Sequence, residues 1–292
     1  MSAPNADAPR YGEIYDRGYR HYDGPRLGRR YAIWALVIYS MKRAVGIKKG
    51  WGSKVIPILL YISVALPMVI SIGVRAFIPT ADVLNYYDFF GIIFIIEGIF
   101  VATIAPEMLC GDRRENVLAL YFSRAITRAD YLLAKLVAAA LLTLSVSFVP
   151  AAILWLGFQL LDDRPLRAFR DNADDLGRIA IAGGLIAAFL GAIGLLISSF
   201  TGRKSIAVAI IVLGFVIAES LAGALTFAID GGELEKYLLF LSPSGTTEGL
   251  ADRLFNGPDP FSGLPLWAIV AEMGGVIALA AGVMFLRYAP NE

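Results

Sequence analysis

Six long stretches of the chain carry almost no charged residues, and they constrain the fold more than any other feature. They occupy residues 55–74, 89–109, 131–161, 179–200, 205–229 and 264–286. Each has the length needed to cross a bilayer core of ~30 Å, which takes about 20 apolar residues. Only helices and closed barrels satisfy their backbone groups in lipid, and these stretches lack strand-like alternation. The sequence therefore predicts an all-α integral membrane protein with six transmembrane helices.

The composition agrees with membrane insertion and narrows the chemistry. Of the 292 residues, 57% are hydrophobic and 17% are charged, whereas soluble domains carry about 25% charged residues. The single cysteine, Cys110, excludes a disulfide within the chain and a cysteine-based metal site. No apolar stretch contains a histidine or an aspartate, which disfavours an intramembrane protease. We expect no metal site and no cofactor bound by this chain.

Lysine and arginine are distributed unevenly between the two sets of connecting segments. With the N-terminus inside, the cytoplasmic segments hold 19 of the 26 Lys and Arg residues. Cytoplasmic loops of membrane proteins carry such an excess, so both termini are predicted to be cytoplasmic. The Ala- and Arg-rich composition indicates a bacterial source and hence the cell (cytoplasmic or inner) membrane.

Charge interrupts residues 28–49 too often for a seventh span. Apolar residues recur there at helical spacing between basic ones: Trp34, Ile38, Met41 and Val45. This pattern is typical of an amphipathic helix that lies in the membrane interface. The predicted parts of the chain are a polar cytoplasmic arm (1–27), the interfacial helix with a basic linker (28–54), a six-helix transmembrane domain (55–288) and a cytoplasmic tail (289–292).

A charged segment, CGDRRENVLALYFSRAITRADYLLAK, occupies residues 110–135 between the second and third apolar stretches. As one helix over residues 111–124, it gathers aliphatic, aromatic and arginine side chains on one face. Such a face suits a protein groove with an acidic rim, where arginines make charge-assisted contacts. It equally suits a helix lying on the bilayer with its arginines among lipid phosphates, and composition alone does not separate the two.

Residues 121–135, YFSRAITRADYLLAK, resemble a stretch in the membrane subunits of type-2 ATP-binding-cassette (ABC-2 type) exporters. The matching residues of this chain are Asp112, Arg113, Ser123, Arg124, Arg128, Asp130, Tyr131, Leu132 and Lys135. Ala125 departs from the family pattern, which has a proline at that position. The overall layout is also similar, with an interfacial helix, six spans, a long external segment before the last span and a short cytoplasmic tail.

The resemblance implies that the segment is a coupling helix seated in a cleft of a cytoplasmic ATPase, whose ATP-driven closure re-orients the spans. The implied coupling residues are Asp112, Arg113, Arg114, Val117, Leu120, Tyr121, Arg124 and Arg128. The chain has no Gly-x-x-x-x-Gly-Lys-Ser/Thr loop to hold phosphates. We therefore expect a transport subunit that is not itself an enzyme, with ATP and Mg bound by a separate ATPase.

The resemblance also implies the partners and the direction of transport. It predicts two ATPase copies, a second membrane subunit (the same chain or a related permease) and export rather than import. The lipid bilayer surrounds the spans, and nucleic acid is not an expected partner. The apolar spans fit a lipid, a drug, a peptide or a glycan carrier equally well as substrate.

Three glutamates lie inside different apolar stretches: Glu97, Glu219 and Glu272. Charged groups at depth are costly and usually face a bundle interior or an aqueous cavity. We favour a structural role, as polar groups between helices, because Lys135 is expected to snorkel to the interface and leaves no relay partner. The alternative function is an ion-gradient-driven secondary transporter that uses these glutamates, although the chain lacks the repeats typical of such folds.

Small residues recur at four-residue spacing in the fourth and fifth stretches and permit close helix approach. In the resembled family the fifth span lies between two membrane subunits, so the dimer-face candidates are Gly214, Ala218 and Ala222.

On the external side, residues 162–178 are expected to form a solvated loop. Residues 242–255 are expected to form a short amphipathic helix with Thr246 or Thr247 as its N-cap.

Overall fold

Every regular element of the described chain is helical. The structure is a computed structural model that describes residues 24, 27–47, 49–78, 84–118, 121, 126–229, 235–257 and 264–288. The predicted arm, residues 1–27, lies almost wholly outside these ranges, and the predicted tail, residues 289–292, lies wholly outside them. Within the described ranges the structure confirms the all-α fold predicted from the sequence.

Six of the helices are long and apolar enough to cross a membrane. In chain order the helices are α1 (Arg29–Ala44), α2 (Gly52–Phe77), α3 (Tyr86–Arg114), α4 (Arg128–Leu160), α5 (Pro165–Asp171), α6 (Ala173–Ser199), α7 (Lys204–Ala228), α8 (Glu235–Leu238), α9 (Pro243–Phe255) and α10 (Leu266–Arg287). The six candidate spans are α2, α3, α4, α6, α7 and α10, which confirms the predicted number. Several extend past the apolar stretches because a helix continues into flanking residues whose charged side chains reach the interface.

Helices α3, α4 and α6 occupy the centre of the bundle, and α7 lies at its edge. In the most apolar part of α3, 67% of the residues are buried within the chain, against 17% for α7. The core is aliphatic and aromatic, with Phe89, Phe100 and Leu190 fully buried. Because the described part of the chain leaves most of α7 uncovered, we expect lipid or another subunit to cover its apolar surface.

Glycines on α6 allow it to approach its neighbours closely. A Cβ built on Gly194 would lie 2.3 Å from Cγ1 of Val101 on α3, well inside van der Waals contact. A Cβ on Gly191 would lie 3.4 Å from Cβ of Ala139 on α4. The small-residue face of the fourth span therefore packs within this chain.

Helix α1 has two apolar faces, and the sequence distinguished only one of them. Leu36, Val37 and Ala44 are buried against the bundle, where α1 packs on α3 and α4. Of the predicted apolar stripe, Trp34 and Ile38 are exposed, whereas Met41 and Val45 are partly buried and pack against the core. A helix with one face on protein and another apolar face uncovered fits a position in the membrane interface.

At the end of the bundle far from residue 112, two local predictions are wrong. Residues 162–178 are mostly exposed, as predicted for a solvated segment, but they contain α5 and the beginning of α6 instead of a loop. The N-cap of α9 is Ser242, whose hydroxyl accepts a hydrogen bond from Gly245 N, whereas Thr246 and Thr247 are buried within the helix. Pro243 explains the earlier start, because proline is favoured in the first helical turn.

Candidate functional site

The charged segment after α3 does not form the single helix, residues 111–124, that the sequence predicts. Helix α3 continues to Arg114, and Asn116 then adopts a left-handed backbone conformation with φ of 53°. Such a residue ends an α-helix, and asparagine tolerates it better than most residues. Tyr121 N donates to Val117 O at 3.1 Å, so helical hydrogen bonding resumes after the break. Residues 114–117 thus form a bend that we name the Arg114 corner.

Asp112 lies at the centre of a buried group of charges just before this corner. Its Oδ1 lies 2.6 Å from Arg43 Nη1, and its Oδ2 lies 2.7 Å from Lys135 Nζ. The Tyr131 hydroxyl donates to Oδ2 at 2.9 Å, and Lys135 also donates to the Met108 carbonyl at 2.9 Å. Asp112 is 0% exposed and Lys135 is 1% exposed. We name Asp112, Arg43, Lys135 and Tyr131 the Asp112 cluster.

The burial of this cluster corrects two predictions. Asp112, predicted as a coupling residue, has no surface with which to touch a separate protein in this structure. Lys135 does not snorkel to the interface, because the carboxylate of Asp112 lies within reach of its ammonium group. A buried charge is tolerated when it is paired and hydrogen-bonded, and Lys135 has both the Asp112 carboxylate and the Met108 carbonyl as acceptors.

Arg43 reaches Asp112 from α1 past a glycine. A Cβ built on Gly111 would lie 2.0 Å from Arg43 Nη2, and the same nitrogen lies 3.3 Å from Glu115 Oε1. Partial burial opposes the charge on Arg43, but attraction to Asp112 and Glu115 outweighs it and raises the pKa of the guanidinium. The Asp112 cluster therefore joins α1, the end of α3 and the beginning of α4.

Two of the predicted coupling arginines bind the ends of neighbouring helices. Arg113 Nη1 donates to the Ser199 carbonyl at the end of α6, and Arg287 Nε donates to the same oxygen at 2.8 Å. Arg128 Nη1 donates to the Tyr288 carbonyl, just after α10, at 2.9 Å. Carbonyl groups at a helix C-terminus lack intrahelical partners and attract cations. These arginines thereby connect the segment to α6 and α10.

Two further ion-pair groups lie at the same end of the bundle. Glu107 on α3 binds Lys49, and its Oε2 lies 2.5 Å from Lys204 Nζ at the start of α7. Arg29 on α1 makes a two-pronged contact with Asp130 on α4 at 2.8 and 2.9 Å. The hydrogen bond to Asp130 raises the pKa of Arg29, but an exposed pair of this kind contributes little stability.

Among the described coupling residues, the exposed surface is that of the Arg114 corner. The side chains of Arg114 and Glu115 are 66% and 49% exposed, and Asn116 is exposed as well. Val117 and Tyr121 are half-buried, and burial together with the charge of Asp112 raises the pKa of Tyr121 to about 12. The other two predicted coupling residues, Leu120 and Arg124, lie outside the described residues.

Glu97 and Glu272 stand apart from this charged end. Glu97 is buried, and neither of its carboxyl oxygens makes a hydrogen bond within the described part of the chain. The Ser147 hydroxyl lies beside it but bonds to the backbone carbonyl of Thr143 on its own helix. Oε2 of Glu272 on α10 is likewise buried without a described partner. Their functional or structural role stays a prediction.

Glu219 has a clear structural contact. Its Oε1 accepts a hydrogen bond from Ser244 N at 2.7 Å, and its Oε2 accepts from the hydroxyls of Ser242 and Ser244 at 2.5 and 2.8 Å. A carboxylate at a helix N-terminus is stabilised by the free N–H groups and the helix dipole. Burial and the nearby charge of Glu219 raise the pKa of Glu248 in the same helix. Glu219 therefore ties α7 to the beginning of α9.

We expect Glu219→Ala to loosen α9. Removing a charged acceptor costs about 1.5–3 kcal/mol. Backbone amides in residues 242–255 should therefore exchange hydrogen for deuterium faster by one to two orders of magnitude. Mass spectrometry of deuterated peptides measures this directly. Glu272→Ala removes a glutamate from another span and should leave α9 unchanged. Unaltered exchange in Glu219→Ala would contradict the structural role.

The three dimer-face candidates on α7 are not equivalent. A Cβ on Gly214 would meet no atom within 4 Å, and Ala218 is half-buried. Ala222 is 3% exposed and so packs within this chain, which corrects its prediction as a contact with a second subunit. The uncovered side of α7 is instead lined by the exposed residues Leu213, Val216 and Ile217.

Sequence reasoning missed the partners of Asp112. An isolated lysine near the start of a long uncharged run signals a buried counter-charge nearby, and Lys135 is such a residue. Arg43 carried no comparable signal, because it lies 69 residues away from Asp112 in the sequence.

Among the described residues, no three His, Cys, Asp or Glu side chains gather closely enough to hold a metal ion.

Comparison with known proteins identifies a family that matches this chain. A family model described as ABC-2 family transporter protein matches residues 8–290, nearly the whole chain. A search of curated proteins found no match. The six apolar helices agree with the family, whose members are multi-pass membrane components of ABC transporters. The chain therefore belongs to the ABC-2 transporter family and is a transmembrane permease.

Proposed function

We propose that this permease is the transmembrane subunit of an ATP-driven exporter in the cell membrane, coupled to separate cytoplasmic ABC ATPases. The observation that carries the proposal is the Arg114 corner, an exposed charged bend placed directly beside a buried ion cluster. An ATPase cleft with acidic groups would bind Arg114 by a charge-assisted contact. The end of the bundle that holds Asp112 then faces the cytoplasm, and both chain termini lie on that side.

The contacts around the Arg114 corner connect it to several spans, so movement of a bound ATPase would be transmitted to them. The Asp112–Lys135 pair joins α3 to α4, and Arg43 joins both to α1. Arg113 extends these contacts to α6, and Arg128 extends them to α10. Because such packed and hydrogen-bonded elements move together, displacement of the corner would shift the ends of several spans at once.

The uncovered surface of α7 supports the proposed number of subunits. Only 17% of its most apolar part is buried by this chain, and the space at Gly214 is open. These observations support a second membrane subunit, the same chain or a related permease, with the substrate pathway between the two. Each permease would engage one ATPase, so two ATPase copies would bind the ATP and Mg that drive export.

Reversing the charge at the corner tests the proposal. We expect Arg114→Glu to weaken co-purification of the ATPase at least tenfold, since a charged hydrogen bond of about 1.5–3 kcal/mol is replaced by repulsion. The measurement is the vanadate-sensitive ATPase activity recovered with the permease from its native membrane in mild detergent. Lys42→Glu reverses an exposed charge on α1 at the same end and should leave recovery unchanged.

Two results would contradict the proposal. One is a wild-type chain that purifies without any ATPase under several mild conditions, and the other is full recovery with Arg114→Glu. The competing function, ion-driven secondary transport, rests on the enclosed carboxyl group of Glu97. It requires substrate transport without ATP that is abolished by Glu97→Gln.

A further inference from the structure

A polar cavity of about 380 Å³ lies at the end of the bundle opposite the Asp112 cluster. It opens among the last turn of α2, the first turn of α3, the last turn of α4 and the beginning of α6. Its volume is at the lower end of the roughly 300–1,000 Å³ found for small-molecule sites. The cavity is separate from the Arg114 corner and has no part in the contact with an ATPase.

Arg75 places a guanidinium group in the lining of this cavity. Its guanidinium lies over the ring of Phe158, with 4.4 Å from Cζ to the ring centre. Within the described part of the chain Arg75 has neither an ion-pair partner nor a side-chain hydrogen bond. This cation–π contact with Phe158 helps to position the guanidinium group, whose N–H groups have no described partner. This arrangement suits a carboxylate or phosphate group, which the fork of N–H donors binds in two-pronged fashion.

A wall of carboxamides is fixed next to this cation. Gln159 is buried, and its Oε1 accepts a hydrogen bond from Asn172 Nδ2 at 2.8 Å. Asn172 is held in turn by Trp155, whose Nε1 donates to the Asn172 carbonyl at 3.0 Å. A polar wall that is fixed before binding costs less to order when a ligand arrives.

Carboxylates and aromatic rings complete the lining. Asp175 lies 3.6 Å from Arg178 in a partly exposed contact, and Asp162 offers a second carboxylate at the rim. Tyr86 lies between Phe158 and Phe255, with ring centres 6.1 and 5.3 Å apart. Carboxylates accept hydrogen bonds from an ammonium group, and aromatic faces attract the same cation.

We propose that this cavity binds a small zwitterion, a ligand with one ammonium group and one carboxylate or phosphate group. The anionic group binds Arg75, the ammonium group lies near Asp175 and Asp162, and the rings cover the carbon atoms between them. Two sources supply this chemistry: a free amino acid or short peptide in solution, and the ethanolamine phosphate headgroup of a phospholipid in the adjacent leaflet.

The test uses the full chain in nanodiscs and has one arm for each source. In the first arm, the nanodiscs contain only phosphatidylglycerol, and equilibrium dialysis measures binding of radiolabelled alanyl-alanine. N-acetyl-alanyl-alanine amide, which lacks both charges, is the matched blocked probe. In the second arm, the nanodiscs contain phosphatidylethanolamine, and mass spectrometry counts the molecules of this lipid that remain bound after detergent extraction.

In the arm in which the wild-type protein binds the zwitterion, we expect Arg75→Gln to weaken that binding at least tenfold. The blocked probe should not bind. Asp162→Asn, at an exposed position where the asparagine oxygen can still accept the hydrogen bond from Arg164 N, should weaken binding of the zwitterion at least threefold. Arg167→Gln, on the exposed surface of α5 at the same end, should have no effect. Binding in the dipeptide arm identifies a soluble ligand, and about one retained lipid per chain identifies the headgroup.

Two outcomes would overturn the proposal. The first is an absence of binding in both arms by wild-type protein. The second is binding that Arg75→Gln and Asp162→Asn leave unchanged, or that the blocked probe reproduces. Because neither arm contains an ATPase or ATP, these outcomes are independent of the exporter function.

Discussion

Replacing Asp112 with asparagine should lower the free energy of unfolding of the permease by about 3–5 kcal/mol, the usual cost of removing one partner of a buried ion pair. The substitution keeps the size of the side chain but removes the charge that both Arg43 and Lys135 contact. Lys135, buried at 1% exposure, would then lose its ionic partner and keep only neutral acceptors such as the Met108 carbonyl. Thermal and denaturant unfolding of the purified protein in detergent measures the loss.

Two further variants serve as comparisons for Asp112→Asn. Asp163→Asn removes an exposed acid and should change stability by less than about 0.5 kcal/mol. The double variant Asp112→Leu with Lys135→Met removes both charges of the buried pair, so it should be more stable than Asp112→Asn alone. An Asp112→Asn protein as stable as wild type would show that the cluster does not hold this end of the bundle together.

Leucine at Gly194 should produce the second large effect. The space for even a Cβ is occupied, since Cγ1 of Val101 would be 2.3 Å away. Overpacking of a close helix contact typically costs about 1–3 kcal/mol and sometimes more, and α3 and α6 cannot separate without disturbing the centre of the bundle. We expect a lower unfolding temperature and partial aggregation on extraction.

Gly184→Leu is the matched control on the same helix. A Cβ at Gly184 would meet no atom within 4 Å, and leucine forms helix better than glycine by up to about 1 kcal/mol. The control should therefore be neutral or slightly stabilising. Equal behaviour of the two variants would mean that the contact between Gly194 and Val101 is not tightly packed.

The spans were predictable because their signal is local. A run of apolar residues long enough for the bilayer predicts a helix without any knowledge of its neighbours. The face that a helix turns toward the bundle is not local information. Trp34 and Ile38 of α1 formed the most evident apolar stripe, yet Leu36 and Val37 make the contact with the protein, because α3 and α4 approach from that side.

The candidate site was predictable in place but not in arrangement. The residue pattern drew attention to the segment after α3, and the structure puts its charges at one end of the bundle. The residue pattern could not show that Asn116 would break the helix. Nor could it tell that Asp112 would turn inward toward Lys135. The contacts of Asp112 depend on the positions of α1 and α4, which only the assembled fold supplies.

The Asp112–Lys135 pair also bears on how the chain enters the membrane. Asp112 closes one helix and Lys135 lies in the second turn of the next, so α3 and α4 form a hairpin that carries an acid and its own counter-charge. Once the second helix is synthesised, the two charges neutralise each other within a single inserting unit. Arg43 is synthesised earlier, but its contact with Asp112 needs α1 to lie on this hairpin, so we expect the hairpin to form before α1 docks on it.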